Sequence, residues 1–169
     1  MEGRWVRTGD LGCPVCGRTF QLKDGVFDSG DAPPSAEAGS VLDADAITAL
    51  VGLSGPGGYL TLVGAAGALW SEVAERNPGV ALVAVSPPAS VVDGPDISVI
   101  RSRRLPLKTG SMRGVVLSSP FADDVTWVKE AARVVLSGLR VVGEGKGPPS
   151  DIIELLASAE GVWVGTEKR

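Results

Sequence analysis

The chain has 169 residues, 44% of them apolar and 21% charged, which suits one domain with a buried core and excludes a wholly disordered segment. A net charge of −4 and a pI near 4.9 supply no global basic field for nucleic acid, and no apolar run is long enough to cross a bilayer. Histidine is absent, which removes imidazole acid–base catalysis and imidazole metal ligation.

Residues 1–28 read as a small β-rich leader. Short strands are expected at 5–7 and 20–23, with Gly9-Asp10 and Asp24-Gly25 as turns. Between them lies Cys13-Pro-Val-Cys16-Gly17, a knuckle whose spacing lets two thiolates face one metal. The N-terminus carries no signal-peptide pattern, so the expected location is cytoplasmic, where such a pair points to metal or redox chemistry and away from a structural disulfide. Three readings stand for Cys13 and Cys16: a metal-free knuckle held by packing, zinc shared by two chains, and a redox dithiol.

Residues 29–40 form a linker rich in Pro, Gly and Ser. From residue 41 to 169 the pattern becomes that of a single α/β domain. Ser40 is expected to cap a helix with Asp43 three residues on, placing Leu42, Ala46, Ile47, Leu50 and Val51 on one face before Gly52 ends it. Strands follow at 60–63, 80–85, 97–100, 114–117 and 140–142. Helices are expected at 67–76 and 124–136, with a last helix at 150–158 capped by Ser150 and a terminal strand at 162–164. Strand and helix alternate with short links, which predicts a doubly wound, mostly parallel, Rossmann-like sheet. Ligands in such sheets bind beyond the carboxyl ends of the strands, so the turn at Gly64, Ala65, Ala66 and Gly67 is the expected cofactor loop, with Ser86 and Pro87 beside it.

Three stretches in this order resemble a class I S-adenosylmethionine-dependent methyltransferase. Leu62-Val63-Gly64-Ala65-Ala66-Gly67-Ala68 is similar to the family's glycine-rich first motif. Leu105-Pro106-Leu107-Lys108-Thr109-Gly110-Ser111-Met112 resembles the stretch before its fourth strand, and Glu130-Ala-Ala-Arg133 through Arg140 resembles its helix-to-strand joint. The leader resembles the second half of the zinc ribbon that precedes some methyltransferase domains. The resemblance implies S-adenosylmethionine as cofactor, but the residues that would hold it are altered. The second and third loop glycines read Ala66 and Ala68, the acidic ribose-binding position reads Ser86, and an acid expected before strand four reads Arg113.

Ser118-Ser119-Pro120-Phe121 is similar to the Asp/Asn/Ser-Pro-Pro-Tyr/Phe motif of amino-group methyltransferases, which makes Ser118 and Phe121 the candidate catalytic pair; an ordinary strand-to-helix turn is the alternative. Arg101, Arg103, Arg104 and Lys108 read as a solvated basic edge, with RNA contact the alternative, and Gly143-Glu-Gly-Lys-Gly147 as a flexible connection. Family members end on two strands after the last helix and this pattern offers one, so a C-terminally shortened sheet is expected. Its open edge at 162–164 then predicts a homodimer. The expected function is a methyltransferase-like protein that works by binding a ligand or partner without catalysis. An active methyltransferase on a small molecule or an RNA or protein amine, and a zinc-bridged dimeric scaffold, are the alternatives. No membrane partner is expected.

Overall fold

The computed structural model describes residues 6–14, 16–33 and 39–168. Its frame is a ten-stranded sheet with three α-helices among these residues. The strands are β1 (Gly9–Gly12), β2 (Thr19–Lys23), β3 (Val26–Asp28), β4 (Tyr59–Val63), β5 (Ala81–Val85), β6 (Ile97–Arg101), β7 (Met112–Leu117), β8 (Val135–Glu144), β9 (Ile153–Ala159) and β10 (Val162–Glu167). The helices are α1 (Ala44–Val51), α2 (Trp70–Arg76) and α3 (Val125–Val134), and a 3-10 turn over Gly64–Leu69 leads into α2.

The strand order is β1-β2-β3-β6-β5-β4-β7-β8-β10-β9. Every pair from β3 to β8 is parallel, which gives the doubly wound sheet expected from the alternating pattern. The chain winds outward from β4 through β5 to β6, then crosses back to β7 and winds the other way. The point where the order reverses therefore lies between β4 and β7.

Period-two alternation sorts the central side chains onto two faces. Leu60, Leu62, Leu82, Ala84, Val116 and Val142 pack with α1 and α2. Val63, Val83, Val85, Val115, Leu117 and Val141 pack with α3. The connection from β6 to β7 holds no helix. It buries Leu105 on the α3 face and is pinned by Arg133, whose guanidinium donates to the carbonyls of Leu105 and Leu107.

Four expectations are corrected. The helix expected at 150–158 is strand β9, paired antiparallel with β10 from Ile153↔Glu167 to Ala159↔Val162. Glu160 and Gly161 both have positive φ, as a two-residue hairpin turn requires. Both terminal strands are thus present, and the expected shortening of the sheet is not observed. Val162, Trp163 and Val164 are not an open edge either, because β10 lies between β8 and β9. Finally, Asp43 caps α1, accepting from the Ala46 amide at 2.7 Å, while the Ser40 hydroxyl donates to Glu144.

The leader also departs from expectation. Its first strand is β1 at Gly9–Gly12, where Gly9-Asp10 was expected to turn; of the strand expected at 5–7, Trp5 lies outside the described residues and Val6 and Arg7 are not in a strand. β3 pairs in parallel with β6, so the leader extends the same sheet. No described helix is long and apolar enough to cross a membrane.

Candidate functional site

The carboxyl ends of β4 and β7 meet at the switch point, where a doubly wound sheet normally opens a ligand crevice. Here β4 ends at Val63 and the chain turns at Gly64 with φ +69, a left-handed value that glycine adopts at little cost. The turn then winds into 3-10 geometry. Neither Ala66 nor Ala68 adopts positive φ, so the two alanines sit where the family's glycines would without backbone strain. Ala66 is wholly buried and packs with the α1–α2 face.

This chain's own side chains tie the turn together. Ser118, at the end of β7 and wholly buried, donates its hydroxyl to the Val63 carbonyl at 2.7 Å and accepts from the Ala66 amide at 3.3 Å. Phe121 lies directly over Gly64: a Cβ added there would fall 2.6 Å from the ring and 2.7 Å from the Ser118 oxygen. Trp127 holds that ring edge-on from behind, with centroids 4.7 Å apart. Gly67 is covered in the same way by Pro87, 2.7 Å from where a Cβ would stand.

The position where the resemblance would put the ribose contact is buried too. Ser86, with φ +47, is 1% exposed and donates its hydroxyl to the Ser102 carbonyl at 3.1 Å. It ties β5 to the end of β6. The structure thus brings Gly64, Ala65, Ala66, Gly67, Ser86, Pro87, Ser118 and Phe121 to the carboxyl end of the sheet as the sequence predicted, and buries all of them. Ser118 and Phe121 make hydrogen-bonding and packing contacts here.

Arg113 lies at the opposite end of the sheet. Its guanidinium donates to the carbonyls of Ser54, Gly55, Pro56 and Gly57, the loop that precedes β4. A carboxylate could not make those bonds.

Sequence reasoning missed Glu144. This buried carboxylate closes β8 and accepts from the Ser40 hydroxyl and the Val41 amide through one oxygen and from the Ser119 amide through the other. It clasps the entry to α1 and the loop after β7 together. The available signal was a single acid ending the apolar run Val141-Val142-Gly143, at the carboxyl edge of the sheet.

Cys13 is part-buried and Cys16 exposed in the knuckle between β1 and β2, where the Cys13 amide donates to Arg18 and its carbonyl accepts from Gly17. No group of three or more His, Cys, Asp or Glu side chains that could hold a metal occurs among the described residues. Two thiolates do not fill a tetrahedral zinc site, so the knuckle does not fit zinc within one chain's described residues.

The open space lies one layer outward. A cleft of about 890 Å³ runs between the leader, the segment after β6 and the start of α3. None of the predicted site residues lines it. Ser102, the partner of Ser86, and Trp127, the partner of Phe121, form part of its wall.

No protein-family model matches the chain, and no curated protein compared is similar to it. Solved structures do match. A Methanococcus maripaludis chain assigned as an S-adenosylmethionine-dependent methyltransferase is 12% identical over 75% of this chain and 84% of its own length, with a TM-score of 0.53. The pyocyanin biosynthetic protein PhzM is 13% identical over 75% of this chain and 55% of its own, also with a TM-score of 0.53. A protein assigned to methyl transfer in an antibiotic pathway of Anabaena variabilis is 22% identical over 62% of this chain, with a TM-score of 0.49, and the match spans 46% of that protein's length. The two structures with a TM-score of 0.53 show the fold to be the Rossmann-like one of a class I methyltransferase.

The residues at the switch point do not fit S-adenosylmethionine in this arrangement. Phe121 stands over Gly64, the Ala66 amide is already bonded to Ser118, and the serine in place of the ribose-binding acid is turned into the protein.

Proposed function

We propose that this chain is a methyltransferase-fold protein that does not catalyse methyl transfer and works by binding a ligand or partner outside the ancestral crevice. The observation that carries the reading is the Phe121–Gly64 contact, locked by the Ser118 hydrogen bonds. Opening the crevice would require lifting a buried ring off both Gly64 and Trp127 and breaking the Ser118 bonds, before any contact with ligand could compensate. A loop of small residues thereby serves packing, where a cofactor-binding protein would leave its backbone bare.

Calorimetric titration with S-adenosylmethionine and S-adenosylhomocysteine tests this. No heat and no thermal shift at millimolar ligand is the expected result. A dissociation constant tighter than about 100 µM would overturn it and support an active methyltransferase.

The position of Cys16 at an exposed tip favours one further arrangement, a zinc held by two thiolates from each of two copies. Sedimentation with metal analysis reads it directly, through a dimer carrying about one zinc per pair of chains. A metal-free monomer excludes it.

A further inference from the structure

The cleft outside the closed crevice has an uneven charge balance. Three arginines line it: Arg18 from the leader, and Arg103 and Arg104 from the segment that follows β6. No ion pair forms between any of these and a carboxylate among the described residues. Three carboxylates also line the cleft, and one of them is already paired with a cation. Glu130 is held by Arg133 through bonds of 2.8 and 2.9 Å, while Asp124 caps α3 and accepts from the Thr126 amide at 2.8 Å. Asp31, bonded to the Ser29 hydroxyl, and Asp124, whose partner is a neutral amide, are left as two unpaired negative charges against three positive ones.

This surplus stands out on a chain of net charge −4. An acidic protein repels polyanions at long range, so an anion held here must be held by the cleft itself. The guanidiniums sit beside flat apolar surface. Phe20 and Phe27 pack together at 5.3 Å on the leader side, and the Arg18 guanidinium lies 5.5 Å from the centre of the Phe20 ring. Leu105 and Trp127 face them from the body. Guanidinium groups suit phosphate oxygens because their donors form a planar fork, and an arginine over an aromatic ring offers a surface on which a heterocycle can stack. A volume of about 890 Å³ is ample for a ligand larger than a bare inorganic ion.

We infer that this cleft binds a nucleotide, its base stacked against the Phe20–Phe27–Arg18 surface and its phosphate held by Arg103 and Arg104. The inference deepens the non-catalytic binding reading and rests on it, since it supplies the ligand class for a fold whose ancestral crevice is closed. A free mononucleotide and one residue of an RNA strand present the same chemistry.

The test is calorimetry on the full chain with adenosine and guanosine 5′-monophosphates, a short oligouridylate, adenosine and inorganic phosphate. At least one phosphorylated nucleotide probe is expected to bind, and to bind about tenfold or more tighter than adenosine or phosphate alone. The paired substitution Arg103→Gln with Arg104→Gln should weaken that binding about tenfold or more. Both side chains are exposed, and an unchanged melting temperature would show that the fold is kept. Phe20→Leu, which keeps an apolar side chain and removes the ring, should weaken base-bearing probes and leave inorganic phosphate unaffected. Binding by the mononucleotides identifies a free ligand, and arginine-dependent binding by oligouridylate alone identifies an RNA strand. No binding by any nucleotide probe overturns the inference, as does binding that the arginine pair does not alter. S-Adenosylmethionine titrated alongside keeps the two failures apart. Its binding would overturn the non-catalytic reading, while silence from the nucleotides would overturn only the ligand class.

Discussion

Ser118 shows how one side chain can close a site. Its position after an apolar strand, with Phe121 three residues on, is what an amine-binding turn and a structural turn have in common. Burial and two hydrogen bonds, to the Val63 carbonyl and the Ala66 amide, make it the staple between β4 and β7. Ser118→Ala is expected to destabilise the fold by about 1–2 kcal/mol, because it takes the Ser118 oxygen from the buried Ala66 amide and leaves the Val63 carbonyl only the Ser118 backbone amide as donor. Chemical denaturation measures this, and an unchanged midpoint would return Ser118 to the list of free site groups. Gly64 is fixed by the same geometry from the other side, through its positive φ and the Phe121 ring against its α-carbon. Glu144 does for α1 what Ser118 does for the turn after β4, and both are buried polar groups whose bonds are made inside the protein.

At the scale of elements, α1 and α2 are joined by the pair Asp45–Arg76, with Nε to Oδ1 at 2.6 Å. The hydrogen bond from Arg76, and then its charge, hold the Asp45 carboxyl below the usual carboxylate range. A depressed folded-state pKa means that the contribution is present above the unfolded value and is lost as pH falls through the folded one. The stability difference between the wild type and Asp45→Asn is therefore expected to stay level from neutral pH to about pH 5 and to shrink below about pH 4. Denaturation curves across that range check it. The carboxylate is exposed, so high salt should reduce the difference at every pH.

Element β9 is where local sequence and final structure part. Ile152 to Ala157 includes good helix formers after a capping serine, and the helical reading rests on those alone. The strand forms because β10 offers a ladder from Ile153 to Ala159, closed by the turn at Glu160-Gly161. Gly165 permits the fit, since a Cβ there would lie 2.3 Å from Ile153. The Glu-Gly pair between β-compatible segments was the one local hint of a hairpin.

For the whole molecule, burial predicts a gradient of local stability. Residues 60–63 of β4, 82–85 of β5 and 114–117 of β7 are buried throughout, whereas β1 is exposed at every position and β2 at alternate ones. Amide hydrogen exchange should be slowest in β4, β5 and β7, approaching global unfolding there, and fastest in β1 and β2. Comparable protection in β1 would show that the leader gains stability from contacts beyond those described.

The sequence by itself determined the alternation of strands with helices, the parallel centre of the sheet and the placing of Gly64, Ser86 and Ser118 at one end of it. These follow from hydrophobic period, turn residues and the small-residue loop, all of which act over a few neighbouring positions. Only the tertiary structure decided that Phe121 packs over Gly64, that the last strands form a hairpin and that Arg113 serves the far end of the sheet. Each depends on what stands opposite a residue across the fold: Phe121 over Gly64, β10 beside β9, and the 54–57 carbonyls around a guanidinium. The first and third of these join residues more than fifty positions apart, and the energies of all three come from packing and hydrogen bonds that exist only once the chain has closed.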